Sequence, residues 1–301
     1  MTISESSSDR ATTGVPPLLE VRNLVVRYGR TGPAAVDDVS FTIARGETLG
    51  LVGESGSGKT TIGRAILGLQ PVTSGEIWFD GKDITRASVA ERRALQGDLR
   101  AVFQDPFSSL NPRRHIGDSL AEPLKVSGVP GPERSVRVDE ALASVGLPDG
   151  SAERYPRQFS GGQRQRVAIA RALVTDPRLV VCDEAVSALD LSTQAQILNL
   201  LAELRRGADL GYLFIAHDMA VVEFLAQRIL VLNRGRVVEQ GTTAEVLGNP
   251  QDSYTRVLIA ASPVPDPDEQ VRRREAWQRL RAEMKAAAAA APATAVANGL
   301  N

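Results

Sequence analysis

Alternation of apolar and polar residues in Leu19-Glu20-Val21-Arg22-Asn23-Leu24-Val25-Val26 predicts a half-buried strand near the start of the chain, and Val36–Ile43 predicts another. Thr48-Leu49-Gly50-Leu51-Val52 is a brief apolar run that feeds a glycine-rich segment. The spacing of Ile62, Ala65, Ile66 and Leu69 then predicts a helix stopped by Pro71. Glu76-Ile77-Trp78-Phe79 runs into Asp80-Gly81, a two-residue hairpin signal. From Ser109 to about Val174 the pattern is helical and loopy, with no convincing strand. Leu179-Val180-Val181-Cys182 and Tyr212-Leu213-Phe214-Ile215-Ala216 are buried-strand patterns, and Ser192–Leu204 between them is helical. Ile229–Leu232 and Val237-Val238-Glu239 flank Asn233-Arg234-Gly235 as a hairpin. Strands alternating with helices predict an α/β fold whose mostly parallel sheet is covered on both faces. The helical stretch between strand-bearing parts reads as an inserted subdomain.

Composition narrows this picture. The 301 residues suffice for one large domain, and 43% hydrophobic residues suffice for a core. A net charge of −1 speaks against a nucleic-acid partner, which would favour a basic surface. The single cysteine, Cys182, excludes an intramolecular disulfide and fits a reducing compartment. No run of about 18 apolar residues predicts a membrane span. The stretch MTISESSSDRATTG lacks the basic start and apolar middle of a signal peptide. Residues 1–17 are expected to be a disordered tail. Residues 264–301 read as a Pro/Asp-rich linker and then an Arg/Glu/Ala-rich marginal helix over Asp268–Ala291.

Three segments carry candidate chemistry. Gly53-Glu54-Ser55-Gly56-Ser57-Gly58-Lys59-Thr60 matches the phosphate-loop pattern in full, after a predicted strand and before a predicted helix. Backbone N–H groups of Ser55 through Thr60 are expected to face phosphates, with glycines allowing the wrap. Lys59 would reach the outer phosphates and the Thr60 hydroxyl would sit on Mg²⁺, with Thr61 at an inner phosphate. Asp183 and Glu184 close a strand: Asp183 suits Mg²⁺ held through water, and Glu184 suits orienting or deprotonating an attacking water. Ser160-Gly161-Gly162-Gln163 opens a helix and admits two readings, a capping box and an anion site at bare glycine amides.

Together, GESGSGKT, FSGGQRQR, VVCDEAVSALD and His217 resemble the ATP-binding subunit of an ABC transporter over roughly Leu18–Pro263. The resemblance implies a P-loop NTPase fold with an N-terminal antiparallel β subdomain. It also implies a helical subdomain over about 105–176 and a C-terminal extension over about 241–263. It implies a nucleotide sandwich, in which Ser160, Gly161, Gly162 and Gln163 serve the nucleotide of a second ATP-binding subunit, a copy or a paralogue. Tyr28 matches an adenine-stacking aromatic, and Gln104 a glutamine touching Mg²⁺ and the attacking water. His217 matches a histidine at the γ-phosphate. Ser187-Ala188-Leu189-Asp190 matches the segment linking the two ATP sites.

The run Val102–Pro112, with Cys182-Asp183-Glu184, Gln194–Leu198 and Ser253–Arg256, is similar to oligopeptide and dipeptide importers, a group that includes nickel and other small-solute importers. The implied partners are two permeases and, indirectly, an extracytoplasmic solute-binding protein, at the cytoplasmic face of the membrane. Ala185 stands where the family usually has proline, which predicts a looser strand end. Asp252-Ser253 replaces a usual His-Pro. No cysteine lies near the C-terminus, so no iron–sulfur cluster is expected. Non-transport relatives in DNA repair or translation, and exporters, are the competing readings. The absence of a heptad array or basic patch between Lys59 and Ser160 speaks against the first, and the run around Gln104 against the second.

Overall fold

The computed structural model describes residues 16–29, 32–104, 110–206, 209–262 and Trp277–Gln278. The N-terminal polar stretch up to residue 15, Asp105–Ser109 and nearly all of the region read as linker and marginal helix lie outside the described residues.

Strands β1 (Leu19–Arg27), β2 (Ala34–Ile43), β3 (Thr48–Val52), β4 (Ser74–Phe79) and β5 (Lys82–Asp83) fill the first part of the chain, with helix α1 (Lys59–Ile66) after β3. Then come α2 (Val89–Ala94), β6 (Leu99–Phe103), α3 (Ile116–Val126), α4 (Gly131–Ser144), α5 (Gly161–Leu173) and β7 (Leu179–Asp183). The last part holds α6 (Leu191–Arg205), β8 (Gly211–Ala216), α7 (Met219–Leu225), β9 (Arg228–Asn233), β10 (Arg236–Thr242), α8 (Thr243–Gly248) and α9 (Ser253–Ala261).

The strands form two sheets. One is antiparallel, in the order β2–β1–β4–β5; the other runs β10–β9–β3–β8–β7–β6, parallel except for β10. Asp80 and Gly81 turn β4 into β5 at φ 51° and 74°, and Arg234 and Gly235 turn β9 into β10 at 48° and 82°. Both pairs have the left-handed angles of a tight hairpin turn. Strands β3, β7 and β8 are buried on both faces and read as unbroken apolar runs for that reason.

Successive residues of the parallel strands serve opposite cores. Leu49, Leu51, Val181, Leu213 and Ile215 pack with α1 and the antiparallel sheet. Val52, Val180, Cys182 and Phe214 pack with the helices α3 to α7. Asp80 pins the two sheets together at one corner. Its carboxylate meets Arg45 and, at 2.6 Å, Arg178 just before β7, and the Arg178 guanidinium holds the Asp80 carboxyl below the usual range.

Between β6 and β7 the described residues are helices and loops, in line with the sequence pattern. Three details depart from it. The helix after the glycine-rich segment ends at Ile66, because Gly68 takes φ 73° and the N–H groups of Leu69 and Gln70 fold back onto the Arg64 carbonyl. Leu69 therefore lies outside the helix, 63% exposed. Strand β6 has no clear apolar signal, since it is an edge strand with Arg100 as its second residue and only Leu99 and Val102 buried. The strand end at Ala185 is not loose: Ala185 is buried, and Glu184 N–H donates to the Ile215 carbonyl at 3.0 Å.

Candidate nucleotide site

Parallel registers bring four strand ends level. Val52 of β3 pairs with Ala216 of β8, Ile215 of β8 with Asp183 of β7, and Asp183 with Phe103 of β6. Gly53, His217, Glu184 and Gln104 are the residues that follow, so they emerge along one edge. The carboxyl ends of parallel strands are where open α/β sheets bind ligands.

The glycine-rich loop is held open by its own backbone. Gly58 takes φ 107°, and a Cβ there would lie 2.4 Å from the Ala35 carbonyl oxygen; a Cβ on Gly53 would lie 2.1 Å from that of Leu232. Gly56 lies in open space at φ 80°, so there the backbone angle is what requires glycine. Ser57 N–H turns inward onto the Glu54 carbonyl at 3.2 Å, which removes it from the expected row of phosphate donors. Among the described residues no acceptor holds the N–H groups of Gly58, Lys59 or Thr60 at the start of α1, which leaves an anion-binding N-terminus. Ser55 is exposed at the loop tip. Lys59 is buried, its Nζ donating to the carbonyls of Gly53 at 2.7 Å and Glu54 at 2.8 Å. Burial lowers its pKa, against the pull of Glu184, Asp183 and Glu54.

Thr60 Oγ1 donates to Asp183 Oδ1 at 3.0 Å. Burial raises the Asp183 pKa, opposed by that hydrogen bond. A hydroxyl and a carboxylate side by side suit Mg²⁺, which takes one or two protein oxygens and completes its shell with phosphates and water. Among the described residues no group of three His, Cys, Asp or Glu could hold a metal alone. Glu184 sits at φ 51°, a left-handed turn uncommon for a residue with a side chain, and its carbonyl accepts from the Ser187 hydroxyl at 3.0 Å. His217 Nδ1 lies 3.7 Å from Glu184 Oε1. Gln104 is exposed at the end of β6.

Tyr28, just past β1, is 53% exposed. Its hydroxyl is 3.0 Å from Thr61 Oγ1, which ties the aromatic ring to the second turn-forming threonine of α1. Ser160 caps α5: its hydroxyl accepts from Gln163 N–H at 3.3 Å, while Gln163 Oε1 accepts from Ser160 N–H at 3.0 Å. The cap is therefore real, and both glycines beside it are half-buried. Gly162 packs on Thr193 of α6, where a Cβ would lie 2.4 Å from Thr193 Cγ2, whereas Gly161 faces open space. Among the described residues no hydrogen bond joins Ser160–Gln163 to the loop of Gly53–Thr60.

Supports of the loop came from places that sequence reasoning passed over. Gly235 N–H donates to the Ser57 carbonyl at 2.9 Å, and Glu54 N–H donates to the Tyr254 hydroxyl oxygen at 2.9 Å. Neither leaves a local signal, since each contact spans most of the chain.

Residues 36–187, just over half of the chain, match the family model described as ABC transporter. This chain belongs to the ABC transporter family. It is 51% identical over 264 residues to the glutathione import ATP-binding protein GsiA of Escherichia coli (strain K12), which covers 84% of this chain and 42% of that protein. The protein of the same name from Shigella flexneri matches to the same extent. The chain thus spans less than half the length of these relatives. Among solved structures, it resembles CbiO1 from Clostridium perfringens, part of the ABC transporter complex CbiONQ, with a TM-score of 0.71 at 30% identity. That match covers 77% of this chain and 91% of CbiO1. A dimeric post-hydrolysis structure of the ATP-binding cassette MJ0796 bound to ADP and Pi gives a TM-score of 0.67 at 30% identity, over 75% and 98% of the two chains. Among the described residues of this ABC transporter chain, no helix is long and apolar enough to cross a membrane.

Proposed function

We propose that this chain hydrolyses ATP to drive import of peptides or a similar small solute through an ABC transporter, working at the cytoplasmic face of the membrane with two permeases. The observation that carries this reading is the convergence of Thr60, Asp183, Glu184 and His217 at one sheet edge beside a complete phosphate loop. Membership of the ABC transporter family and the likeness to an import ATP-binding protein give it direction.

The loop N–H groups and Lys59 bind and orient the phosphates. Thr60 and Asp183 would hold Mg²⁺, whose charge when bound offsets that of the phosphates. Glu184 aligns a water on the γ-phosphate and accepts its proton, His217 contacts the γ-phosphate, and Gln104 would touch Mg²⁺ and the attacking water. Tyr28 stacks on the adenine. Ser160, Gly161, Gly162 and Gln163 close over the nucleotide of a second ATP-binding chain, so that binding brings two chains together and hydrolysis lets them part.

The test is Glu184→Gln in the purified chain. The variant is expected to bind ATP and dimerise while hydrolysis falls about a hundredfold or more. Rapid steady turnover by that variant would overturn the role of Glu184. Purification in mild detergent should recover import permeases; recovery of export permeases alone would overturn the direction of transport.

A further inference from the structure

We propose that Tyr254, in the first turn of α9, is a positioning residue of the phosphate loop, acting through the peptide bond between Gly53 and Glu54. The proposal rests on the ATP reading above. That one peptide unit is gripped on both sides. Its carbonyl, on Gly53, accepts from Lys59 Nζ at 2.7 Å, and its N–H, on Glu54, donates to the Tyr254 hydroxyl at 2.9 Å. Gly53 takes φ 154°, outside the usual range for residues with a side chain, so these two hydrogen bonds hold the peptide unit at a position where the chain has glycine's backbone freedom.

The two grips differ in permanence. An ammonium that holds carbonyls is drawn to phosphate oxygens when these enter the loop, because charge–charge attraction exceeds charge–dipole attraction. The Lys59 grip on the Gly53 carbonyl therefore weakens as the nucleotide binds. The Tyr254 grip stays, because Tyr254 is itself built into the fold. The residue is 6% exposed, and its N–H donates to the Asp252 carboxylate at 2.7 Å. The N–H groups of Gln251 and Asp252 in turn donate to the Glu239 carboxylate of β10, at 2.8 and 3.1 Å. A chain of hydrogen bonds thus runs from the edge strand of the parallel sheet, through the start of α9, to the entrance of the phosphate loop. Tyr254 keeps the Gly53–Glu54 peptide oriented while Lys59 is engaged elsewhere.

The experiment is Tyr254→Phe in the full chain, which keeps the ring and deletes the acceptor. KM for Mg-ATP is expected to rise about fivefold, the size of one neutral hydrogen bond, with kcat within about twofold of the parent. Calorimetric binding of Mg-ATP to the variant in a Glu184→Gln background should show the same fivefold loss. Without nucleotide, where Lys59 still grips the peptide, Tm should move by less than about 2 °C. A purely structural Tyr254 would lower Tm without nucleotide and leave KM alone, which would overturn the proposal. So would a variant that binds Mg-ATP as tightly as a parent shown to bind it. A parent that binds no Mg-ATP at all would instead overturn the ATP reading.

Discussion

The phosphate loop and the Ser160–Gln163 turn are both glycine-bearing helix starts, yet they are finished in opposite ways. Around Gly53–Thr60 the back is occupied while the tip stays open: Ala35, Leu232, Gly235 and Tyr254 press on Gly53, Glu54, Ser57 and Gly58, and Lys59 lies buried against the carbonyls of Gly53 and Glu54. At Ser160–Gln163 the cap satisfies itself, and Gly161 looks out on open space. A glycine hemmed in by its own chain is there for packing and backbone angle. Gly161 has neither a crowding neighbour nor a positive φ to require it, so it is free to meet something else, which we propose is the nucleotide of a second chain.

The pair of glycines offers the sharpest way to break this contrast. Gly58→Ala puts a Cβ 2.4 Å from a fixed carbonyl at φ 107° and is expected to cost roughly 3 kcal/mol of stability and to abolish nucleotide binding. Gly161→Ala meets nothing, and its Tm should stay within about 2 °C while hydrolysis falls. In a chain that pairs with a copy of itself, mixing Gly161→Ala with Lys59→Ala chains should restore turnover, because one loop and one turn remain intact in the mixed pair. Mixtures as inactive as each variant alone would place the turn's role within its own chain.

A smaller effect separates chemistry from stability inside the loop region. Burial raises the Asp183 pKa above its unfolded value, so the ionised carboxylate costs the fold above that folded pKa, and the cost fades as pH falls. Asp183→Asn keeps an acceptor for Thr60 and removes the charge. It should cut Mg²⁺-dependent hydrolysis about a hundredfold while Tm at neutral pH stays equal or rises by a few degrees, read by calorimetry. A fall in Tm would show that the charge, and not only the oxygen, holds the loop.

The smallest expected effect lies away from both glycine turns. Asp80 has its carboxyl held below the usual range by Arg178, so it stabilises the fold above its unfolded pKa and ceases to as pH falls through the folded value. Asp80→Ala should lower Tm by about 3 °C at pH 7, and the difference should shrink below about pH 4. Nucleotide KM should not change, since the pin joins the sheets and not the loop.

What could be read from the chain, and what could not, follows the same division. Strands β3, β7 and β8 announce themselves because both faces are covered, and the Asp80-Gly81 and Arg234-Gly235 turns because left-handed angles leave few residue choices. Motif spacing in the loop is legible because its glycine angles and the Lys59 grip on Gly53 and Glu54 lie within eight consecutive residues, whatever supports the loop from behind. Strand β6 was invisible because an edge strand needs only two buried positions, Leu99 and Val102. The Glu54–Tyr254 contact joins residues 200 apart, and no window along the chain contains both. The left-handed Glu184 leaves no mark either, since nothing in its residue type asks for that angle.

Strand β3 also carries a consequence for biosynthesis. Its neighbours in the sheet are β8 and β9, and the Thr48 N–H that opens it bonds to Gln227, 179 residues later. Strands β1, β2, β4 and β5 need nothing beyond Asp83 for their mutual pairing. At ribosomal speeds, β3 waits on the order of ten to forty seconds for its partners, with its backbone hydrogen-bonding edges unpaired. The nucleotide loop is therefore made well before the strands that fix the position of its base.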